Sequence, residues 1–238
     1  EQVVITIAQA SREDLRRIAT VCEQCSLKMR IIPGLFEILQ GDVEVSRIRD
    51  VQIEDLLGRD QVHLDEESLG RFLASKTVMV TGAGGSIGSE LVRQVARFGP
   101  SRLLLLERAE FALFSIEREM VESHPESAIV PVVGDVGDLP RMESVFQQYR
   151  PDVVFHAAAH KHVPLMESNP SEAIKNNTVA TRLIAVIAGK FGCEAFVMIS
   201  TDKAVRPTSV MGASKRIAEL AVQSLNCKYA TRFVVVRF

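Results

Sequence analysis

One stretch limits what this chain can become more than any other. Thr77–Val80 is a short run rich in β-branched and apolar residues. It passes directly into Thr81-Gly82-Ala83-Gly84-Gly85-Ser86-Ile87-Gly88-Ser89, beyond which apolar residues recur at helical spacing to about residue 98. A strand, a glycine-rich turn and a helix N-terminus in succession offer backbone N–H groups and partial positive charge to a phosphate. The spacing G-x-G-x-x-G does not fit, because Ile87 holds its last place. G-x-x-G-x-x-G through Gly82, Gly85 and Gly88 does. In that reading Gly82 makes the tight turn and Gly85 admits a pyrophosphate, with Ser86 and Ile87 at the helix start. Gly88 packs the helix on the sheet. A purely structural turn is the alternative. Against it stands Glu107, nineteen residues after Gly88 and at the end of the next strand-like run, where an acid accepts from ribose hydroxyls.

The pattern then repeats. Strand-like runs at 102–106, 129–133, 153–155, 195–199 and 232–236 alternate with helical segments near 86–98, 110–123, 138–149, 171–191 and 211–226. Apolar strands alternating with helices predict an α/β fold, a doubly wound parallel sheet of Rossmann type covered on both faces. Ligands of such sheets sit at the carboxyl ends of the strands, so the loops there carry the functional reading. Asp135 follows the third strand beside Val136 and is placed to receive an adenine amino group; a turn or N-cap role is its alternative. Ala157, Ala158 and Ala159 follow the fourth strand and are small enough for a dinucleotide to lie against the backbone. Arg108 complicates the choice of cofactor, since a guanidinium pairs with a 2′-phosphate that Glu107 repels. NAD is favoured over NADP.

Residues 1–40 read as strand, helix and short strand, with Ser11 as N-cap, Leu15, Ile18, Ala19 and Cys22 at helical spacing, and a stop at Pro33-Gly34. This is a partial βαβ remnant of a preceding α/β domain. Residues 41–75 are charged and aperiodic, as a connector would be, and 76–238 form the dinucleotide-binding domain. Cys22 and Cys25 make a C-x-x-C pair with no second pair or spaced histidines, so incidental reduced thiols are expected. With 28 basic and 30 acidic residues, net charge −2, the chain gives no reason to expect nucleic acid or an anionic membrane as partner.

Two further runs are individually unusual. They are His156-Ala157-Ala158-Ala159-His160-Lys161-His162-Val163-Pro164 and Ser200-Thr201-Asp202-Lys203-Ala204-Val205-Arg206-Pro207, the latter followed by Gly212-Ala213-Ser214-Lys215. With them residues 76–238 resemble the polysaccharide-biosynthesis (CapD-like) nucleotide-sugar 4,6-dehydratases, which are extended short-chain dehydrogenases. Residues 1–75 resemble the domain remnant and connector of the long, membrane-anchored members. The resemblance implies a UDP-sugar substrate, a C-terminally truncated fold lacking the substrate-binding part, and a parent anchored in a bacterial inner membrane. This portion would face the cytoplasm without touching the membrane; a homo-oligomer is compatible with that.

Short-chain dehydrogenases usually carry Tyr-x-x-x-Lys, whereas here the spacing is Met211-x-x-x-Lys215. A thioether has no proton to exchange, so Met211 is no general acid or base. By resemblance, Lys203 is the base for the C5 proton, Asp202 the acid for the C6 hydroxyl, and Thr201 the partner of the C4 oxygen. Lys215 would hold the nicotinamide ribose, Lys161 would reach the substrate, and Asn177 would shape the substrate site. A solvated loop ion pair is the bland reading of Asp202-Lys203. A nucleotide-sugar 4-epimerase, which needs no C5 base, and a non-catalytic dinucleotide sensor are the competing functions. No metal is expected, because His160, His162 and Glu167 lack a further ligand of known spacing.

Overall fold

A computed structural model describes residues 2–5, 12–25, 27–31, 49–50 and 65–238. The chain divides into two compact units, Glu1–Leu64 and Asp65–Phe238. In the first, strand β1 (Gln2–Ile5), helix α1 (Arg12–Gln24) and strand β2 (Lys28–Ile31) form a βαβ unit with parallel pairing. Strand β3 (Arg49–Asp50) adds to β2 antiparallel. The expected connector 41–75 therefore does not behave as one piece. Its residues 49–50 belong to the first sheet, while helix α2 (Glu66–Leu73) belongs to the second unit, where Leu73 is buried in the core. Charge in that stretch hid both assignments: Asp65 is a helix N-cap, accepting from the Ser68 N–H at 3.0 Å. Cys22 is buried and Cys25 exposed, both as thiols. Ser11, Ile32 and Pro33-Gly34 lie outside the described residues.

The second unit carries six parallel strands: β4 (Thr77–Thr81), β5 (Arg102–Glu107), β6 (Ile129–Val133), β7 (Val153–His156), β8 (Ala195–Ser200) and β9 (Arg232–Arg237). Their order is β6-β5-β4-β7-β8-β9. The chain winds outward from β4 in one direction, then returns past it and winds in the other. The switch point between β4 and β7 is where such sheets leave a crevice for a ligand. The helices are α3 (Ser86–Ala96), α4 (Glu110–Ser123), α5 (Leu139–Tyr149), α6 (Val163–Ser168), α7 (Pro170–Ala173), α8 (Thr181–Lys190) and α9 (Val210–Gln223). A π-helical segment, Ile174–Ala180, joins α7 to α8.

Alternation along each strand supplies two cores. Leu104 and Leu106 face one side with Met79, Val154 and Phe196, under α5, α8 and α9. Leu103 and Leu105 face the other with Val78, Val80 and Val153, under α3 and α4. A strand buried on both faces needs apolar residues at every position, which is why Leu103–Leu106 shows no polar alternation. The register brings the carboxyl ends together: Thr81 lies beside Leu106 and His156, Glu107 beside Val133, and Ser200 beside Arg237.

One polar link pins the switch point. His156 is fully buried, with Nδ1 and Nε2 each 2.8 Å from a threonine hydroxyl, Thr81 on β4 and Thr181 on α8. Burial, with Lys215 nearby, lowers the imidazole to about 3, so it is neutral and shares protons with hydroxyls only.

Candidate active site

The glycine loop closes on itself through backbone contacts. Gly82 adopts φ +66, and a Cβ there would lie 2.7 Å from the Ala158 nitrogen, so the turn and the loop after β7 touch main chain to main chain. A Cβ on Gly88 would stand 1.9 Å from the Gly82 carbonyl oxygen. Gly88 thus lets α3 approach the turn that leaves β4, main chain against main chain. Gly84 was not singled out, yet a Cβ there would fall 2.5 Å from Cβ of Ala112 on α4. That demand comes from a contact distant in sequence and leaves no local signal.

With Gly85 as N-cap, α3 begins without a side-chain cap, and its first N–H groups remain available. Ahead of them runs an open groove of about 340 Å³, lined by Gly82, Glu107, Arg108, Asp135, Ala158 and Asn176 among others. A second hollow of about 220 Å³ continues it past Ser86, Ile87, Lys161 and Met166, sharing Gly82, Gly85, Ala157 and Ala159 with the first. Every cofactor residue expected from sequence, except Lys215, lines one or both hollows. The groove has what a dinucleotide requires: unpaired N–H groups at a helix start, a lining rich in glycine and alanine, and an acid at the adjoining strand end.

The polar residues on the rim are engaged. Glu107 accepts from the Gly84 N–H at 3.2 Å and from its own turn through Arg108 N–H at 2.9 Å. Arg108 leans away from Glu107, with its guanidinium 3.7 Å from Asp135, 3.3 Å from Asn176 Oδ1 and 3.4 Å from His160 Nε2. Burial, then Arg108, lowers the His160 imidazole below its ordinary value. Asp135 does two things at once: Oδ1 accepts from the Gly137 N–H at 2.7 Å, as a turn aspartate does, while Oδ2 faces the groove rim. The Lys161 ammonium lies 3.5 Å from the Ser86 hydroxyl, at the start of α3. Glu167 accepts from the Val210 N–H at 2.7 Å and so ties α6 to α9.

A separate cluster forms at the end of β8. Thr201 donates to Asp202 Oδ1 at 2.9 Å, and Lys203 Nζ stands 3.2 Å from the same oxygen, with both charged side chains more than half exposed. The Thr201 hydroxyl first, and Lys203 second, hold the Asp202 carboxyl below its usual range. Met211 and Lys215 line neither hollow. Met211 is buried and packs against Met166 and Ala173, so its thioether fills space behind the second hollow. Lys215 is buried and donates to the Ile199 carbonyl at 3.0 Å; burial lowers it to about 8 against the opposing pull of Glu219. Asn177 lies just outside the lining of both hollows. It is fully buried, accepts from the His160 N–H at 2.8 Å, and donates to the His160 carbonyl at 2.9 Å and Ser214 at 3.0 Å. With its amide engaged in this way it pins the loop after β7, which lines both hollows. It sits in the π segment, whose wider turn the sequence did not reveal.

A family model described as polysaccharide biosynthesis protein matches residues 78–238. The capsular polysaccharide biosynthesis protein CapD of Staphylococcus aureus is 45% identical over all of this chain, which spans 40% of that protein's length. An inverting UDP-N-acetylglucosamine 4,6-dehydratase of Campylobacter jejuni is 30% identical over 68% of the chain and 48% of its own. Among solved structures, Pen from Bacillus thuringiensis superposes with a TM-score of 0.65 at 30% identity, over 70% of this chain and 52% of the other.

Proposed function

The chain belongs to the polysaccharide biosynthesis protein family, and on that premise we propose that it carries the dinucleotide site and the reactive turn of a nucleotide-sugar 4,6-dehydratase. A UDP-N-acetyl-hexosamine is the proposed substrate, in keeping with the name of the Campylobacter relative. The observation that carries this reading is the reactive turn itself. The sequence has two tyrosines, Tyr149 and Tyr229, and both pack against the core at sites remote from the groove. Neither of these two phenols lines the hollows, while Thr201, Asp202 and Lys203 stand together at the end of β8.

A bound nicotinamide dinucleotide would accept the C4 hydride of the sugar and return it at C6. The α3 N-terminus and the glycine loop would hold its pyrophosphate, Glu107 a ribose, and Asp135 with Val136 the adenine edge. NAD is favoured, because the Glu107 carboxylate faces the groove while Arg108 is committed to Asp135, Asn176 and His160. In the sugar, Thr201 would donate to the C4 oxygen. The C4 hydroxyl proton leaves to water as the hydride departs. Lys203 Nζ takes the C5 proton, acidified by the neighbouring ketone, and Asp202 gives a proton to the departing C6 hydroxyl. Lys203 returns its proton to C5 as the hydride reaches C6, and the pair regains from water the one proton released at C4. The free pair stands as carboxylate and ammonium. One proton passing from Nζ to Oδ1 across their 3.2 Å contact converts it to the neutral base and acid that these roles need, with no change of net charge. A sugar that displaces water from the pair favours that neutral form.

Incubation of the full-length protein with UDP-N-acetylglucosamine and NAD is the test. A 4-keto-6-deoxy product is expected. Formation of the C4 epimer alone, or binding without turnover, refutes the assignment.

A further inference from the structure

Beneath the reactive turn lies a carboxylate that the reaction above does not use. Glu219 on α9 is fully buried, yet it is not an isolated charge. Its Oε1 accepts from the Ser200 hydroxyl at 2.7 Å and from Arg237 Nε at 2.8 Å, while Oε2 accepts from Arg216 at 2.8 Å and Arg237 at 2.5 Å. Ser200 is the last residue of β8 and pairs in register with Arg237 of β9. One turn before Glu219 on the same helix, Lys215 donates to the carbonyl of Ile199, the residue preceding Ser200. Two consecutive turns of α9 thus grip two consecutive residues of β8, and the next residues are Thr201, Asp202 and Lys203. From the far side, the Asp202 N–H donates to the Phe238 carbonyl at 2.8 Å, just beyond the arginine that Glu219 holds.

We propose that Glu219 is a positioning residue that fixes the Thr201–Lys203 turn against α9 and β9 through Ser200, Arg237 and Lys215. The burial of a carboxylate is costly unless every lone pair is matched, and here each oxygen has two donors. Such a fully matched site has one geometry, so it transmits position rather than merely filling volume. Charge follows the same lines. The groups acting on the Lys215 ammonium are Glu219, the neutral His156 and, beyond Glu219, Arg216 and Arg237. The two arginine side chains are 40% and 38% exposed and screened by water, whereas Glu219 is wholly enclosed, so its charge is the one that opposes the larger effect of burial at Lys215. Glu219 therefore also favours the protonated form of Lys215.

The functional weight of this proposal rests on the reading of the turn given above. Its test needs neither sugar nor dinucleotide, so failure of one does not mask failure of the other. Two variants are compared with the parent chain, Glu219→Gln and Ser200→Ala. The ionisation of Lys215 is followed by the 13Cε shift of labelled lysine, identified by its loss in Lys215→Met. The hold on the turn is followed by hydrogen exchange at the Asp202 amide. In Glu219→Gln the Lys215 midpoint should fall by about one pH unit or more from the parent's. In Ser200→Ala the Asp202 amide should exchange at least about ten-fold faster while amides of β4 keep their protection. A Lys215 midpoint that does not move in folded Glu219→Gln overturns the proposal. So does an Asp202 amide that stays protected in Ser200→Ala, a result that decides the matter even if Glu219→Gln fails to fold.

Discussion

Gly82 and Gly99 share a backbone conformation, φ +66 and φ +60, and differ in what surrounds them. A Cβ on Gly99 would meet nothing within 4 Å, whereas one on Gly82 would press on the Ala158 nitrogen at 2.7 Å and its Cα at 2.8 Å. Replacing each by alanine therefore separates strain from crowding. A left-handed alanine costs about 1–2 kcal/mol, and the stiffer unfolded chain gives back roughly 0.4–1 kcal/mol, equally at both sites. Gly82→Ala must in addition push the loop after β7 aside, which costs ~1–3 kcal/mol when the obstructing atoms are main chain. Urea denaturation should place Gly82→Ala below Gly99→Ala by that ~1–3 kcal/mol, with similar m-values. Because the displaced loop lines the groove, calorimetry should also show NAD binding weakened by about ten-fold or more in Gly82→Ala, and unchanged in Gly99→Ala, for a loss of ~1.4 kcal/mol. Equal destabilisation of the two variants, within about 0.5 kcal/mol, would refute the claim that contact with Ala158 governs this turn.

Other expectations are more briefly stated. In the full-length enzyme Lys203→Met should lower formation of the 4-keto-6-deoxy sugar by about 10²-fold or more and abolish solvent deuterium at C5; a two-fold loss is too small for a base. NAD should bind this chain more tightly than NADP, and Glu107→Ser should narrow the gap; a parent that prefers NADP reverses the roles of Glu107 and Arg108. Acid should weaken the fold through His156. Its folded value of about 3 lies below the ordinary 6.5, so the stability it contributes is present above pH 6.5 and is lost as pH falls towards 3. His156→Gln should flatten the stability curve between about pH 6.5 and 5.5, above the range of ordinary carboxylates, and an unchanged slope there would count against a neutral buried imidazole.

The strands were legible because each buried strand demands an unbroken apolar run, and Leu103–Leu106 or Phe196–Ile199 satisfies that demand locally. The glycine loop was legible for a related reason, since φ +66 and backbone contact leave no residue but glycine at Gly82. What escaped depends on partners far along the chain. Gly84 answers to Ala112, and Asn177 answers to His160 and Ser214. Glu219 reads as the polar face of an amphipathic helix until Arg237 is seen to meet it. Helix α6 was missed because His160-Lys161-His162-Val163-Pro164 looks like a loop, although proline is tolerated in a first helical turn. The residues around Asp202 were found by their unusual order, while their hold on β9 gave no sign.

The bond from the Asp202 N–H to the Phe238 carbonyl has a consequence for the order in which the molecule is made. β8 and α9 leave the ribosome before β9, so during synthesis the threonine, aspartate and lysine emerge on a strand end that only α9 can grip. When β9 docks alongside β8 the turn gains its last tie, the bond from Asp202 to Phe238, as the sheet closes. A chain still being translated can thus complete the groove after β4, β5, β6 and β7 before the Thr201–Lys203 turn is fully held.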